Sequence, residues 1–108
     1  MLSVELAAGR AELIVLEAME EYNRDVEPEL RVSLDPGAAL YGAGGGLDSL
    51  GLLTLVTILE TGLERELGRP VALVEESGAT DGAAFRTVES LIAAVLALLE
   101  PGQATRQA

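Results

Sequence analysis

The chain has 108 residues, 49% of them hydrophobic, and a formal net charge of -11 at pH 7. That length allows one modest core, the apolar content is too high for a disordered acidic tail, and the charge disfavours nucleic acid and anionic membranes while favouring a partner with a basic patch. Cysteine and histidine are absent and all seven basic residues are arginine, which removes disulfides, thiolate metal sites, the usual general base, Schiff-base and P-loop lysines, and attachment of biotin or lipoate.

An enzyme of this composition would have to work with carboxylates, hydroxyls and arginine alone, so a non-enzymatic role is expected. Residues 1–10 lack the basic start and apolar stretch of a secretory signal. The most apolar helical run, residues 91–99, is far shorter than the ~18 residues needed to cross a bilayer. A cytoplasmic, monomeric protein is expected, without nucleic acid or membrane among its partners.

Over residues 4–22 apolar side chains recur at helical spacing: Val4, Ala7, Ala8, Ala11, Ile14, Val15, Ala18, Met19 and Tyr22 share a face. Charged residues fill the other face, where Leu6 and Leu13 also fall, and Ser3 is the predicted N-cap. Residues 23–43 read as a long connection, punctuated by Pro28 and Pro36 and pinned to the core by Leu30, Val32, Leu34 and Leu40. Gly44, Gly45 and Gly46 end it as a flexible, unprotected backbone.

A second helix is predicted to start at Asp48 or Ser49 and to stop near Leu67, before Gly68 and Pro70. Its buried stripe is Leu52, Leu55, Val56, Leu59 and Leu63, with Leu50, Leu53, Thr54, Thr57, Glu60, Thr61 and Glu64 facing away. Residues 71–84 are ambiguous; a lone strand at 71–74 would have nothing to pair with, so a loop with a helical turn is expected. Thr87 is the N-cap of a last helix through Leu99, with Val88, Leu91, Ile92, Val95 and Leu99 on its core face and Leu96 and Leu98 off it. Pro101 and Gly102 end it, leaving one domain over residues 1–102 and a disordered tail over 103–108.

The chemistry concentrates in Gly46-Leu47-Asp48-Ser49-Leu50-Gly51-Leu52-Leu53. A serine at a helix start after a glycine-rich loop holds its hydroxyl in solvent near the positive end of the helix dipole, where a phosphodiester is favoured. With no histidine to activate it, Ser49 reads as an acceptor of modification by another enzyme rather than as a catalytic nucleophile.

Asp48-Ser49-Leu50 at the head of an apolar helix resembles the attachment motif of acyl and peptidyl carrier proteins. The likeness continues through Leu59-Glu60, Leu63-Glu64-Arg65-Glu66-Leu67-Gly68 and Phe85-Arg86-Thr87-Val88-Glu89-Ser90-Leu91, covering roughly residues 34–99. It implies an all-α four-helix bundle of acyl-carrier type, three helices long and one short. It also implies that a phosphopantetheinyl transferase moves 4'-phosphopantetheine from coenzyme A onto Ser49. Acyl groups would then ride on the arm as thioesters between acyl-loading and acyl-processing enzymes, as in fatty acid or polyketide biosynthesis.

The same likeness gives Asp48 a role beside the serine and Leu50 a role in partner contact. The expected partner face comprises Asp48, Leu50, Leu53, Thr54, Thr57, Glu60 and Glu64. The chain departs from the pattern at Gly51 and Thr54, where family members often carry acids, so docking is expected to lean on apolar contact.

Three plainer readings stand beside this one. Asp48 and Ser49 would cap a helix without any modification. The triple glycine forms no phosphate-loop register. Asp25, Glu27 and Glu29 alternate like calcium ligands, but Pro28 and a missing glycine spoil an EF-hand, leaving solvated loop charges. At the level of function the alternatives are an aminoacyl or peptidyl carrier and an unmodified helical interaction module.

Overall fold

The computed structural model describes residues 4–42, 44–73, 75 and 83–99. The expected cap at Ser3, the stop at Pro101 and Gly102, and the tail over 103–108 lie outside them. Three long helices, α1 (Val4–Asp25), α2 (Ser49–Leu67) and α3 (Val88–Leu99), make an all-α bundle, with short 3-10 turns at Pro28–Leu30 and Ala83–Phe85. Among the described residues extended pairing is confined to two isolated bridges, Ala39 with Thr87 and Tyr41 with Leu47. None of their helices is long and apolar enough to cross a membrane.

α1 packs against both other long helices. Its predicted apolar face is the buried one: Ala7, Ala11, Ile14, Val15, Ala18, Met19 and Tyr22 are in the core, while Leu6 and Leu13 are exposed. The helix runs three residues past the predicted Tyr22, which places Asn23 where its side chain can fasten the following loop. Asn23 Nδ2 donates to the Val32 carbonyl at 3.0 Å, and the Val32 N–H returns a bond to Asn23 Oδ1 at 2.9 Å. Val32 and Leu40 are buried accordingly and Leu34 is partly so. Leu30 is not a pin: it sits in the first 3-10 turn, 54% exposed.

α2 starts at Ser49 and ends at Leu67 as predicted, with Gly68 in the left-handed conformation (φ 72°) and its N–H donating to the Glu64 carbonyl at 2.8 Å. Leu55, Val56, Leu59 and Leu63 are buried; Leu52, at the edge of the stripe, is only half-buried, and Gly51 is buried instead. After α2 the chain turns back so that Val71 and Leu73 plug into the core. Leu73 and Glu75 have helical backbone; the rest of the expected short helix falls largely on residues outside the described set.

Thr87 caps α3 as predicted, in a reciprocal box: the Ser90 N–H donates to Thr87 Oγ1 and the Thr87 N–H to Ser90 Oγ, both at 3.0 Å. The N–H groups of the two residues after the cap are satisfied from the long connection, Val88 by the Ala38 carbonyl at 3.2 Å and Glu89 by that of Pro36 at 2.8 Å. Of the predicted core face, Val88, Leu91, Val95 and Leu99 are buried, and Ile92 is partly so. Leu98, expected off the stripe, is only 5% exposed. It lies one heptad beyond Leu91, on the same buried edge of the helix.

Candidate functional site at the start of the second helix

The loop leading to Ser49 is closed rather than loose. Tyr41 and Leu47 bridge its two ends, the Leu47 N–H donates to the Leu40 carbonyl at 2.9 Å, and the Gly45 N–H donates to Gly42 at 3.0 Å. A Cβ on Gly45 would run into the Leu40 carbonyl, so that glycine serves a close backbone approach instead of an open hinge. Leu47 is buried and anchors the loop directly before the helix.

Asp48 is the N-cap. Its extended backbone (φ -89°, ψ -177°) turns Oδ1 back to accept the Gly51 N–H at 2.7 Å, and its carbonyl accepts from Leu52 at 2.9 Å. The Leu52 bond is the first of the helix's own, and the Gly51 bond satisfies one of the four N–H groups that every helix start leaves over. Of the other three, those on Ser49 and Leu50 belong to the first turn itself and have no hydrogen-bond partner among the described residues. Ser49 is exposed in that first turn, and no other described side chain bonds its hydroxyl. The pair of free donors and the helix dipole therefore favour a negatively charged group on Ser49 Oγ.

Beneath the turn lies Tyr22 of α1. A Cβ built on Gly51 would stand 2.7 Å from the Tyr22 hydroxyl, so the missing side chain is what lets the two helices approach here. Burial, followed by the nearby Asp48 carboxylate, pushes the Tyr22 hydroxyl pKa up. Sequence periodicity alone did not single out Tyr22 or Gly51 as parts of the site. A glycine two residues after the serine, with a tyrosine closing the apolar stripe of the first helix, is the only sequence signal that could have found them, and the periodicity reading did not use it.

The expected partner face divides. Leu50 and Leu53 project beside Ser49, 72% and 63% exposed. Thr54 and Thr57 are exposed too, but their hydroxyls donate to the carbonyls of Leu50 at 3.0 Å and Leu53 at 2.9 Å. Glu60 and Glu64 stand farther along and hold the returning strand of chain: Glu60 Oε2 accepts the Leu73 N–H at 2.8 Å, and Glu64 Oε2 that of Val71 at 3.5 Å. Gly51, paired with Thr54 in the sequence comparison, is buried and shares no surface with it. Asp25, Glu27 and Glu29 are exposed, and among the described residues no three acidic side chains converge as a metal site.

The fold and this turn define a small helical-bundle domain with an exposed serine at a capped helix start. No family model, no curated protein and no solved structure matches the chain.

Proposed function

We propose that this chain is a carrier protein of the acyl-carrier type, modified at Ser49 with 4'-phosphopantetheine. The observation that carries the reading is the first turn of α2. An exposed Ser49 hydroxyl stands beside two N–H groups without partners among the described residues, on a helix start held rigid by Asp48. A phosphodiester at that oxygen fits: it is reachable from solvent, and its negative charge would lie at the positive end of the helix.

In the transfer, Ser49 Oγ forms a bond to the pantetheine-bearing phosphorus of coenzyme A. The pyrophosphate P–O bond breaks, adenosine 3',5'-bisphosphate leaves, and the serine proton passes to the transferase. Once attached, the arm supplies a thiol that holds acyl groups as thioesters. This chain's own residues supply the attachment oxygen, the capped turn that presents it and a surface for partners, which are the transferase and the acyl-loading and acyl-processing enzymes. No reaction is assigned to the chain itself. Exposure of Leu50 and Leu53 also suits an unmodified helical interaction module, and that reading is the one to exclude.

Purified protein incubated with coenzyme A, magnesium and a broad-specificity phosphopantetheinyl transferase is expected to gain one phosphopantetheinyl mass, placed on Ser49 by tandem mass spectrometry. Ser49→Ala is expected to fold and to gain nothing. An unchanged wild-type mass with several transferases, or equal modification of Ser49→Ala, overturns the carrier reading and leaves the interaction module.

A further inference from the structure

We infer that partners dock on a surface composed from two helices: an apolar anchor on α2, Leu50 and Leu53, and a carboxylate pair on α1, Glu17 and Glu21. The occupant is a protein surface with an apolar recess flanked by arginine or lysine. The inference rests on the carrier reading and says which part of the chain its enzymes recognise.

α1 and α2 run antiparallel, as three contacts in sequence show: Tyr22 lies under Gly51, Ile14 lies beside Gly62, and Arg10 pairs with Glu66. Between them runs a cleft of about 410 Å³ in which Glu17 and Glu21 face Thr57, Ile58 and Thr61. Both glutamates are exposed, on the half of the cleft nearer Ser49, and Arg10 and Arg65 occupy the other end. Leu53 stands one helical turn past Ser49, so an enzyme acting there covers the leucines and the acidic half of the cleft together.

The acids on α2 are turned elsewhere. Glu60 and Glu64 hold the N–H groups of Leu73 and Val71, and Glu66 pairs with Arg10. Their charge persists, but Oε2 of Glu60 and of Glu64 already accepts from the returning chain, so an arginine that takes both oxygens of either has to compete with that bond. The threonines add no free donor either: Thr54, Thr57 and Thr61 each donate to the carbonyl four residues back. Apart from the Asp48 carboxylate at the cap, the exposed side of α2 next to Ser49 carries no charge in a protein of net charge -11, and further attraction comes from the helix beside it.

A second copy of this chain does not suit the surface. Two leucines fall far short of the ~800 Å² per partner of a standard interface, and two chains of charge -11 repel. A basic rim around an apolar recess complements both features.

The test is the transferase reaction on the full chain, read as KM and kcat for the protein substrate. Leu53→Gln and Leu50→Ala are expected to raise KM ~10-fold at every salt concentration, since apolar contact is not screened. Glu17→Gln with Glu21→Gln is expected to raise it ~3- to 10-fold at low ionic strength, an effect lost at ~0.5 M salt. Glu60→Gln with Glu64→Gln, which keeps acceptors for the Leu73 and Val71 N–H groups, is expected to leave KM within ~2-fold, with circular dichroism confirming that every variant folds. The reverse pattern, sensitivity at Glu60 and Glu64 but not at Glu17 and Glu21, overturns the composite surface while leaving the carrier reading intact. A wild-type chain that gains no mass overturns both.

Discussion

At Gly51 an added Cβ would meet the Tyr22 hydroxyl at 2.7 Å and Asp48 Oδ1 and Leu47 Cδ2 at 3.2 Å. Alanine normally gains ~1 kcal/mol over glycine inside a helix, but forcing atoms into a packed site costs ~1–3 kcal/mol. Gly51→Ala is therefore expected to lower stability by about 1 kcal/mol in urea melts. In a Tyr22→Phe background, where the obstructing oxygen is gone, the same substitution is expected to become neutral or stabilising. A loss of equal size in both backgrounds would place the collision elsewhere.

The same tyrosine gives a pH dependence. Its pKa is raised above the ordinary 10.0 by burial and then by Asp48, so the unfolded chain releases this proton first as pH rises. Above about 10 the folded state binds more protons than the unfolded one, and stability falls with pH. Denaturant melts between pH 9 and 11 should show that decline for wild type and a shallower one for Tyr22→Phe. Asp48 adds a third expectation at this scale. Asp48→Ala should cost ~1 kcal/mol by removing the acceptor for the Gly51 N–H, and Asp48→Asn much less.

Among the elements, helical periodicity located α2 to the residue, because Asp48, Gly68 and Pro70 are local signals that act on their own neighbours. It sorted most buried from exposed positions on α1, α2 and α3 for the same reason: those faces are set by the ~100° step along each helix. What stayed hidden depends on residues far away in sequence. Gly51 is buried because Tyr22 arrives beneath it. Glu60 and Glu64 looked like free surface acids, and only the returning chain supplies the N–H groups they accept. Leu30 had the right chemistry for a pin, yet the 3-10 turn aims it outward. At the site, Ser49, Asp48, Leu50 and Leu53 were legible; the closed loop and the tyrosine floor were not.

The helix faces are themselves testable. Leu55 and Leu59 are fully buried, so truncation to alanine should cost ~2–5 kcal/mol. Thr54→Ala, on the exposed side, should stay within about 0.5 kcal/mol in the same urea titration.

For the whole molecule, 18 acidic and seven basic residues leave a large charge imbalance. The Arg10–Glu66 pair ties α1 to α2 at the end away from Ser49, and an exposed pair of this kind contributes little against the general repulsion. Raising salt from ~10 mM to ~0.5 M shortens the reach of that repulsion and is expected to raise Tm in circular dichroism melts. A fall in Tm would mean that specific ion pairs outweigh it.

The bonds from Val88 and Glu89 to the carbonyls of Ala38 and Pro36 also bear on the order of events in folding. They join segments about fifty residues apart, so the loop-closure entropy of bringing them together falls due before any contact rewards it. α1 and α2 can each form from local contacts, whereas α3 completes its first turn only when the long connection is already in place. Substitutions that loosen this junction, such as Leu40→Ala, should then speed unfolding strongly and slow refolding little in stopped-flow chevrons. The last part of the chain to be secured would be the clasp between residues 36–41 and 85–89, and the first to open.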